Sequence, residues 1–158
     1  MDSDVIARLG SMVLGTRLKR LAEQLQAGVA EVLVELQSPL QPGQLPLLVA
    51  IDEAERPTIQ DLVVALGISQ PAVSRTLGGL HRSGLVRLED DAHDARVRRP
   101  VLTAKARALL ESLRVSLFPA VAAAATDLCE GTGLLETLAT LEARNRALPF
   151  AQRIRQAA

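Results

Sequence analysis

Residues 66–86 read LGISQPAVSRTLGGLHRSGLV, and this stretch decides the fold. Ser69 is one of the residue types that cap helices, and Pro71, two positions later, suits a first helical turn. Gly84 accommodates the left-handed backbone conformation with which many helices end. The stretch therefore predicts a helix over residues 69–83.

A shorter helix is predicted directly before this one. Residues 58–61 read TIQD, which resembles a capping box with Asp in the place of Glu. Apolar side chains then recur at helical spacing from Ile59 to Leu66, and Gly67 can end the helix in a left-handed conformation. A short helix, a tight turn that contains glycine and a second helix form a helix-turn-helix unit.

Two strand-like segments follow the helix-turn-helix unit. Residues 85–89 (LVRLE) and 97–102 (VRRPVL) flank a turn-like segment that is rich in Asp. Pro100 restricts the second strand to the edge of a sheet, because proline has no N–H for a ladder hydrogen bond. A small β-hairpin directly after a helix-turn-helix unit is a wing, so residues 39–103 are predicted to form a winged helix-turn-helix lobe.

Helices are predicted on both sides of this lobe. Ser3 can cap an N-terminal helix, whose apolar stripe recurs at helical spacing and which ends near Ser38. Gly10, Gly15 and Gly28 weaken this helix, so a bend or a late start stays open. Pro42 suits the start of the next helix. After the wing, Thr103 can cap a long helix, and a last helix starts near Gly133. The fold class is therefore mainly α, and the predicted parts are residues 1–38, 39–103 and 104–158.

Composition and charge narrow the class of protein. Of the 158 residues, 48% are apolar but only 1% are aromatic, which suits a helical core of Leu, Val and Ala better than a β-sandwich. The absence of Trp and Tyr removes the usual platforms for stacking single-stranded bases. The formal net charge is zero, yet residues 69–107 carry eight Lys/Arg and four Asp/Glu, a local balance of +4 that indicates a polyanionic partner.

A helical wheel of residues 69–83 separates a core seam from an outward face. At about 100° per residue, Val73, Leu77 and Leu80 point toward the core. Gly78 and Gly79 lie outside this seam, although each costs roughly 1 kcal/mol relative to Ala in a helix. The outward face and its flanks hold Gln70, Pro71, Ala72, Ser74, Arg75, Gly78, Gly79 and Arg82.

The outward face has the chemistry that reads a major groove. Arg75 can donate two parallel hydrogen bonds to guanine, and Gln70 can form the corresponding pair with adenine. Pro71 and Ala72 can contact a thymine methyl group, and Ser69 suits a phosphate. We hypothesise that the bare backbone at Gly78 lets the helix approach DNA closely. Taken alone, these residues have an alternative explanation without DNA: the arginines are solvated surface residues, and Ser69 and Gln70 only cap the helix.

The order of elements and two motifs resemble the MarR family of winged helix-turn-helix transcription regulators. Residues 66–86 are similar to the family's recognition helix, LG-(S/T)-xxxV-(S/T)-R…L…GLV. Asp94, Arg96, Leu102 and Thr103 are similar to the D-x-R…LT signature of its wing. The resemblance covers most of the chain and is strongest from residue 57 to residue 109.

The resemblance implies a homodimer that reads a pseudo-palindromic operator in double-stranded DNA. The segments 1–38 and 104–158 would supply its dimerisation helices, and the helix 69–83 and the wing 86–102 would meet the major and minor grooves. Together with the helical wheel, it gives the expected DNA-binding residues Ser69, Gln70, Pro71, Ala72, Ser74, Arg75, Arg82, Arg96 and Arg98. A repressor that responds to a small-molecule effector is the function that this resemblance implies.

The sequence departs from the family pattern mainly in the wing. Leu88 and Glu89 replace residues that are usually basic, residues 90–91 make the tip acidic, Pro100 lies in the second strand, and Ala106 replaces a frequent Gly. An acidic tip should weaken contact with the minor groove. The alternative function is a helical dimer whose degenerate winged lobe binds a protein instead of DNA.

Other chemistry is sparse in this sequence. His81 and His93 have no partners at metal-ligand spacing, and a polar or phosphate contact is expected for His81. Cys129 is the single cysteine and is expected to be a buried structural thiol. No catalytic constellation is present, so we expect no enzyme activity, no metal and no cofactor. The acidic N-terminus is unlike a signal peptide and no long uncharged apolar run is evident, so a cytoplasmic protein without membrane contact is expected.

Overall fold

The computed structural model describes residues 4–91, 94 and 97–157. The chain divides into two compact units, Met1–Leu117 and Phe118–Ala158. The first unit contains the helix-turn-helix and the hairpin, and the second is helical in its described part. The mainly α fold class with a small hairpin is therefore confirmed, whereas the finer division at residues 38 and 103 stays a prediction.

The N-terminal segment forms two helices, and the break lies at Gly10, one of the glycines at which the sequence left a bend open. Helix α1 (Val5–Leu9) ends at Gly10, whose φ of +57° leaves the helical region, and a 3-10 turn leads into helix α2 (Leu14–Glu35). Asp4 caps α1, since its Oδ1 accepts hydrogen bonds from the N–H groups of Ile6 and Ala7. The residue predicted as the cap, Ser3, lies outside the described residues.

Asp4 also joins α1 to α2. Its two carboxylate oxygens accept hydrogen bonds from both terminal nitrogens of Arg20, each at 2.9 Å. This bidentate pair, together with the hydrogen bond from Ala7, lowers the pKa of Asp4 to about 2. A cap residue thus also fixes how the first helix lies on the second.

The two helices before α5 form where the sequence predicts them, and the second of these is the first helix of the helix-turn-helix. A 3-10 turn (Pro42–Gln44) leads into helix α3 (Leu45–Glu53), and helix α4 (Ile59–Leu66) follows. The capping box is confirmed: the Asp61 N–H donates to Thr58 Oγ1 at 3.1 Å, and the Thr58 N–H donates to Asp61 Oδ2 at 2.8 Å. The hydrogen bonds that the N–H and the hydroxyl of Thr58 donate to the Asp61 carboxylate lower the pKa of Asp61.

Helix α5 (Gln70–Arg82) is the helix predicted over residues 69–83. Ser69 occupies the cap position, but its side chain accepts no hydrogen bond from the helix, contrary to the prediction that it caps α5. The other end is as predicted, because Gly84 adopts a φ of +70°. Its N–H donates to the carbonyl of His81 and the N–H of Leu85 donates to the carbonyl of Leu80, which is the Schellman arrangement.

The wing is a two-stranded antiparallel hairpin. Strands β1 (Val86–Asp90) and β2 (Arg98–Leu102) pair in a register that places Val86 opposite Leu102 and Leu88 opposite Pro100. Because a two-stranded sheet consists only of edges, Pro100 costs no ladder to a third strand. The predicted hairpin and the edge position of Pro100 are confirmed.

A leucine-rich core holds the first unit together. Thr103 joins the wing to helix α6 (Ala104–Leu128): its hydroxyl donates to the carbonyl of Gly84 at 2.9 Å and accepts from the N–H of Ala106 at 3.2 Å. The buried side chains of the core include Leu33, Leu47, Leu48, Leu62, Val73, Leu77, Leu80, Leu85, Leu102, Leu110, Leu113 and Leu117. Among the described residues no polar or charged side chain is buried.

The second unit consists of the end of α6, helix α7 (Leu134–Ala147) and helix α8 (Phe150–Ala157). The predicted start near Gly133 and the interruption at Pro149 are confirmed. Helix α6 has the length of a membrane span, and an 18-residue window within it has a mean hydropathy of 1.4, which is apolar enough for one. These two properties are weak evidence for such a span, because core helices share them, and the first half of α6 supplies Leu110, Leu113 and Leu117 to the core of the first unit.

Substitution of Gly84 should destabilise the fold. Gly84→Ala would place a Cβ in a left-handed conformation, so we expect the free energy of unfolding to fall by about 1–2 kcal/mol in urea denaturation. Gly43→Ala is the matched control, since a Cβ there has nothing within 4 Å and the backbone φ is not positive. We expect the control to change stability by less than about 0.5 kcal/mol. Equal effects of the two substitutions would contradict the role of Gly84.

Candidate nucleic-acid interface

Helix α5 presents the face that the helical wheel predicts. Val73, Leu77 and Leu80 are buried, with exposures of 0%, 4% and 0%. On the other side of the helix, Ala72 is half-buried. The predicted contact residues that are exposed on or beside this face are Ser69, Gln70, Pro71, Ser74, Arg75 and Arg82. The apolar seam therefore fixes which side of α5 faces outward.

Within the described part of the chain, the arginines on this face form no ion pair and Ser69 forms no capping hydrogen bond. Among the described residues, neither Arg75 nor Arg82 has a carboxylate within ion-pair distance. Because Ser69 does not cap the helix, its hydroxyl is also available to an external group. Two guanidinium groups and a hydroxyl on one exposed helix face can bind phosphates and the edges of bases.

The wing differs from this face, because its cations are bonded to its own acids. Glu89 accepts hydrogen bonds from Arg87 Nε at 2.8 Å and from Arg56 Nη1 at 3.0 Å. The pair with Arg87 is the main reason why the pKa of Glu89 is lowered. Arg56 lies in the loop before α4, so this acid ties the hairpin to the helix-turn-helix.

Two further acids extend this pattern to the tip. Asp90 faces Arg98 across the hairpin and accepts from its Nε at 3.0 Å. Asp91 bonds to Arg99, which also donates to the carbonyl of Arg56. The Asp90–Arg98 side chains are 63% and 57% exposed, so this pair is weak in water and can exchange partners. The described part of the wing is thus close to self-neutralised.

The remaining predicted wing contact is not placed by the structure. Arg96 and His93 lie outside the described residues, so the minor-groove position of Arg96 stays a prediction. Asp94, which the resemblance assigns to positioning Arg96, is exposed, and its N–H donates to Asp91 Oδ1 at 3.1 Å. Arg98 lies on β2 as predicted, but its bond to Asp90 was not apparent from the sequence.

The two glycines of α5 have different surroundings. A Cβ at Gly78 would meet only the end of the Arg82 side chain, at 3.4 Å. A Cβ at Gly79 would lie 3.2 Å from Nε2 of Gln44, in the 3-10 turn before α3. The sequence analysis did not identify Gln44, because no local pattern relates it to a residue 35 positions later in the chain.

Of two other candidates, His81 makes a polar contact within the chain, and the prediction of a buried Cys129 is corrected. Nδ1 of His81 lies 3.0 Å from the carbonyl oxygen of Val86, so this ring bonds to the start of the wing. Cys129 is half-buried instead of buried, beside a shallow cleft lined by residues of α6 and α7 such as Thr126 and Leu135. In the described ranges no group of three His, Cys, Asp or Glu residues could hold a metal ion.

Comparisons with known proteins agree with this geometry. Residues 38–97 match the model of the MarR family. No curated protein gave a significant match to the chain.

Solved structures share the winged fold. The S. aureus MepR–DNA complex aligns with a TM-score of 0.69 and 20% identity, over 86% of this chain and 98% of that one. A mutant MarR from E. coli, complexed with operator DNA, gives a TM-score of 0.67 and 20% identity, over 89% and 98%. BpsR from Bordetella bronchiseptica, described as regulated in DNA binding by 6-hydroxynicotinic acid, gives 0.64 and 22%, over 86% and 93%.

The family and these neighbours are transcription regulators and not enzymes, in agreement with the prediction from the sequence. On the match over residues 38–97 and the shared winged-helix fold, the resemblance of this chain to the MarR family of transcription regulators is confirmed.

Proposed function

We propose that this protein is a sequence-specific DNA-binding regulator whose helix α5 reads the major groove of double-stranded DNA. One observation carries the proposal: α5 has a fully apolar inner seam and an outer face whose arginines have no ion-pair partner among the described residues. The seam packs the helix against the core, and the outer face offers donors to an anionic, hydrogen-bonding surface.

The chemistry of the face assigns different roles along the helix. Arg75 would donate to O6 and N7 of a guanine, and Gln70 would pair with N6 and N7 of an adenine. Pro71 and Ala72 would contact a thymine methyl group, while Ser69 and Ser74 would bind phosphates. These residues lie in the first half of α5, which is the end that enters the groove in helix-turn-helix proteins. Arg82, at the other end, would contact the DNA backbone.

The wing would contribute less than the helix. Arg98 lies near the DNA backbone in this proposal, and Arg96 lies near the minor groove. Arg98 is bonded to Asp90 in the free protein, so a phosphate must replace a carboxylate before this contact forms. The net gain from such an exchange is small, because an exposed pair is worth at most about 1 kcal/mol.

A homodimer would place two copies of α5 on a pseudo-palindrome. Helix α2 carries an apolar stripe, Leu14, Leu18, Leu21, Leu25 and Val32, whose side chains are 39–47% exposed. In the second unit, Leu128, Leu135, Phe150 and Ile154 are 55–68% exposed. Apolar surfaces of this extent mark interaction sites, and a second copy of the chain would cover them. By analogy with the regulated DNA binding of BpsR, the dimer would act as a cytoplasmic repressor that a small molecule releases.

The direct test is binding to a pseudo-palindrome from the protein's own promoter region. Fluorescence anisotropy at about 150 mM salt should show tighter binding to this duplex than to random DNA, with an affinity that falls as salt rises. Light scattering should give twice the mass of the chain. Equal affinity for both duplexes would contradict the proposal.

The self-neutralised wing favours a second function, a helical dimer whose winged lobe binds a protein. Its acids satisfy cations that would otherwise attract DNA. A dimer that is not retained on heparin or DNA columns at low salt would support this alternative and contradict DNA binding.

Arg75 and Arg82 should differ in what they contribute. Arg75→Ala should lower the preference for the operator over random DNA by roughly 1–3 kcal/mol, because a base contact is lost. Arg82→Ala is the matched control, since it removes the same charge from the far end of the helix. It should weaken binding to both duplexes alike and reduce the salt dependence by about one phosphate contact. An unchanged preference in Arg75→Ala would remove this residue from the readers.

Neutralising the wing tip should strengthen DNA binding. Asp90→Asn removes a carboxylate that repels phosphates and that holds Arg98, so affinity for any duplex should rise about 3-fold at low salt. Titrations at several salt concentrations check this, because the slope should steepen as one more cation meets DNA. Glu136→Gln, on α7 outside the winged lobe, is the control and should change neither quantity. Unchanged affinity in Asp90→Asn would mean that the wing does not approach DNA.

A further inference from the structure

The 3-10 turn Pro42–Gln44 lies where three helices meet. It contacts α2, which precedes it, α3, which follows it, and α5. Gln44 is half-buried in this turn, and its Oε1 accepts a hydrogen bond from the N–H of Gln41 at 2.9 Å. With one end of the carboxamide held in this way, the other end, Nε2, faces α5 at Gly79.

Gly79 leaves room for this side chain. A Cβ on Gly79 would lie 3.2 Å from Gln44 Nε2, closer than the 3.4–4 Å of ordinary van der Waals contact. The amide could yield only by giving up its bond to Gln41 or by moving the turn. Gly78, one residue earlier, has no such neighbour, since a Cβ there meets only the flexible end of Arg82. The two glycines are therefore chemically identical but structurally different.

The position of this contact on α5 matters for reading. Arg75 and Gly79 are four residues apart, so they are neighbours on the helix surface. The core holds α5 from the other side, through Leu77 and Leu80. An apolar seam resists separation of the packed surfaces, but it resists a small roll of the helix about its axis less well. The amide of Gln44, which meets the helix beside the seam, limits this roll.

We propose that Gln44 is a positioning residue for DNA reading: it abuts α5 at Gly79 and thereby sets the roll of the helix that presents Arg75. The inference rests on the proposed function, since it concerns how the same helix meets DNA. Recognition groups must be held within roughly 0.5 Å of their productive geometry. A Cβ at Gly79 would require α5 or Gln44 to shift by a few tenths of an ångström, which uses up much of this tolerance for a bidentate contact four residues away.

The test is a double-mutant cycle with a matched control. The four variants are Gly79→Ala, Gln44→Ala, the double variant Gln44→Ala/Gly79→Ala and, as the control, Gly15→Ala, an exposed glycine of α2 where an added Cβ has nothing within 4 Å. For each, the affinities for the operator and for a random duplex of equal length are measured, together with the melting temperature. Both glycine substitutions should maintain or raise the melting temperature, because Ala is the better helix former.

The variants are expected to differ in the ratio of the affinity for the operator to the affinity for random DNA. Gly79→Ala should lower this ratio about tenfold through weaker operator binding, with random-DNA affinity unchanged. Gly15→Ala should leave the ratio unchanged, and Gln44→Ala, which only removes the contact with α5, should lower it a few-fold. The double variant should recover most of the loss of Gly79→Ala, because the truncated side chain vacates the space that the new Cβ needs. A general loss of folding would lower both affinities and the melting temperature instead.

Three outcomes would overturn the inference. One is a ratio in Gly79→Ala equal to that in Gly15→Ala, another is a double variant no better than Gly79→Ala, and the third is a Gln44→Ala ratio equal to that of the unaltered protein. The third does not involve α5 itself, so it applies even if Gly79→Ala fails to fold. Failure of the proposed function looks different, since the unaltered protein would then show no preference for the operator.

Discussion

The packing of one helix seam determines the rest of the site. Val73, Leu77 and Leu80 lie in a core built almost entirely from leucine, and their burial leaves α5 a single outward face. With few aromatic rings available, many small aliphatic contacts hold this helix. The hydroxyl of Thr103 adds a polar link, because it bonds both the end of α5 at Gly84 and the first turn of α6. The outward residues can then be polar without any cost to the core.

The helix and the wing differ in whether their cations are already paired with acids. On α5 the cations have no ion-pair partner among the described residues, whereas on the hairpin each of Glu89, Asp90 and Asp91 bonds an arginine. A cation that already has a carboxylate partner gains little from a phosphate, because one ion pair replaces another. Under the proposed function, the acidic wing would limit non-specific attraction to DNA and leave discrimination to the helix. It also ties the hairpin to the loop before α4 through Arg56.

Local signals made most of the fold predictable. The capping box at Thr58, the left-handed residue Gly84 and the edge proline each act through neighbours within a few residues, and all three are confirmed. The bend left open in the N-terminal helix lies at Gly10, after a cap by Asp4, whereas the predicted cap by Ser69 does not form. The face of α5 followed from its helical period. The wing ion pairs and the Gln44 contact did not, because they join segments that are distant in sequence and meet only after folding.

The glycines of α5 show why propensity alone misjudges a functional helix. Each lowers helix stability by roughly 1 kcal/mol relative to Ala, and a sequence analysis assigns the same cost to both. The structure separates them, since Gly78 faces outward with only an arginine beside it, while Gly79 meets the amide of Gln44. At Gly79 the space beside the backbone is taken by the amide of Gln44. The helix-propensity cost of this glycine is therefore offset by a contact between α5 and the turn that leads from α2. At Gly78 no such contact exists, and the close approach of DNA remains the hypothesis for that residue. The same residue type, one position apart, thus serves the inside of the protein in one case and its proposed partner in the other.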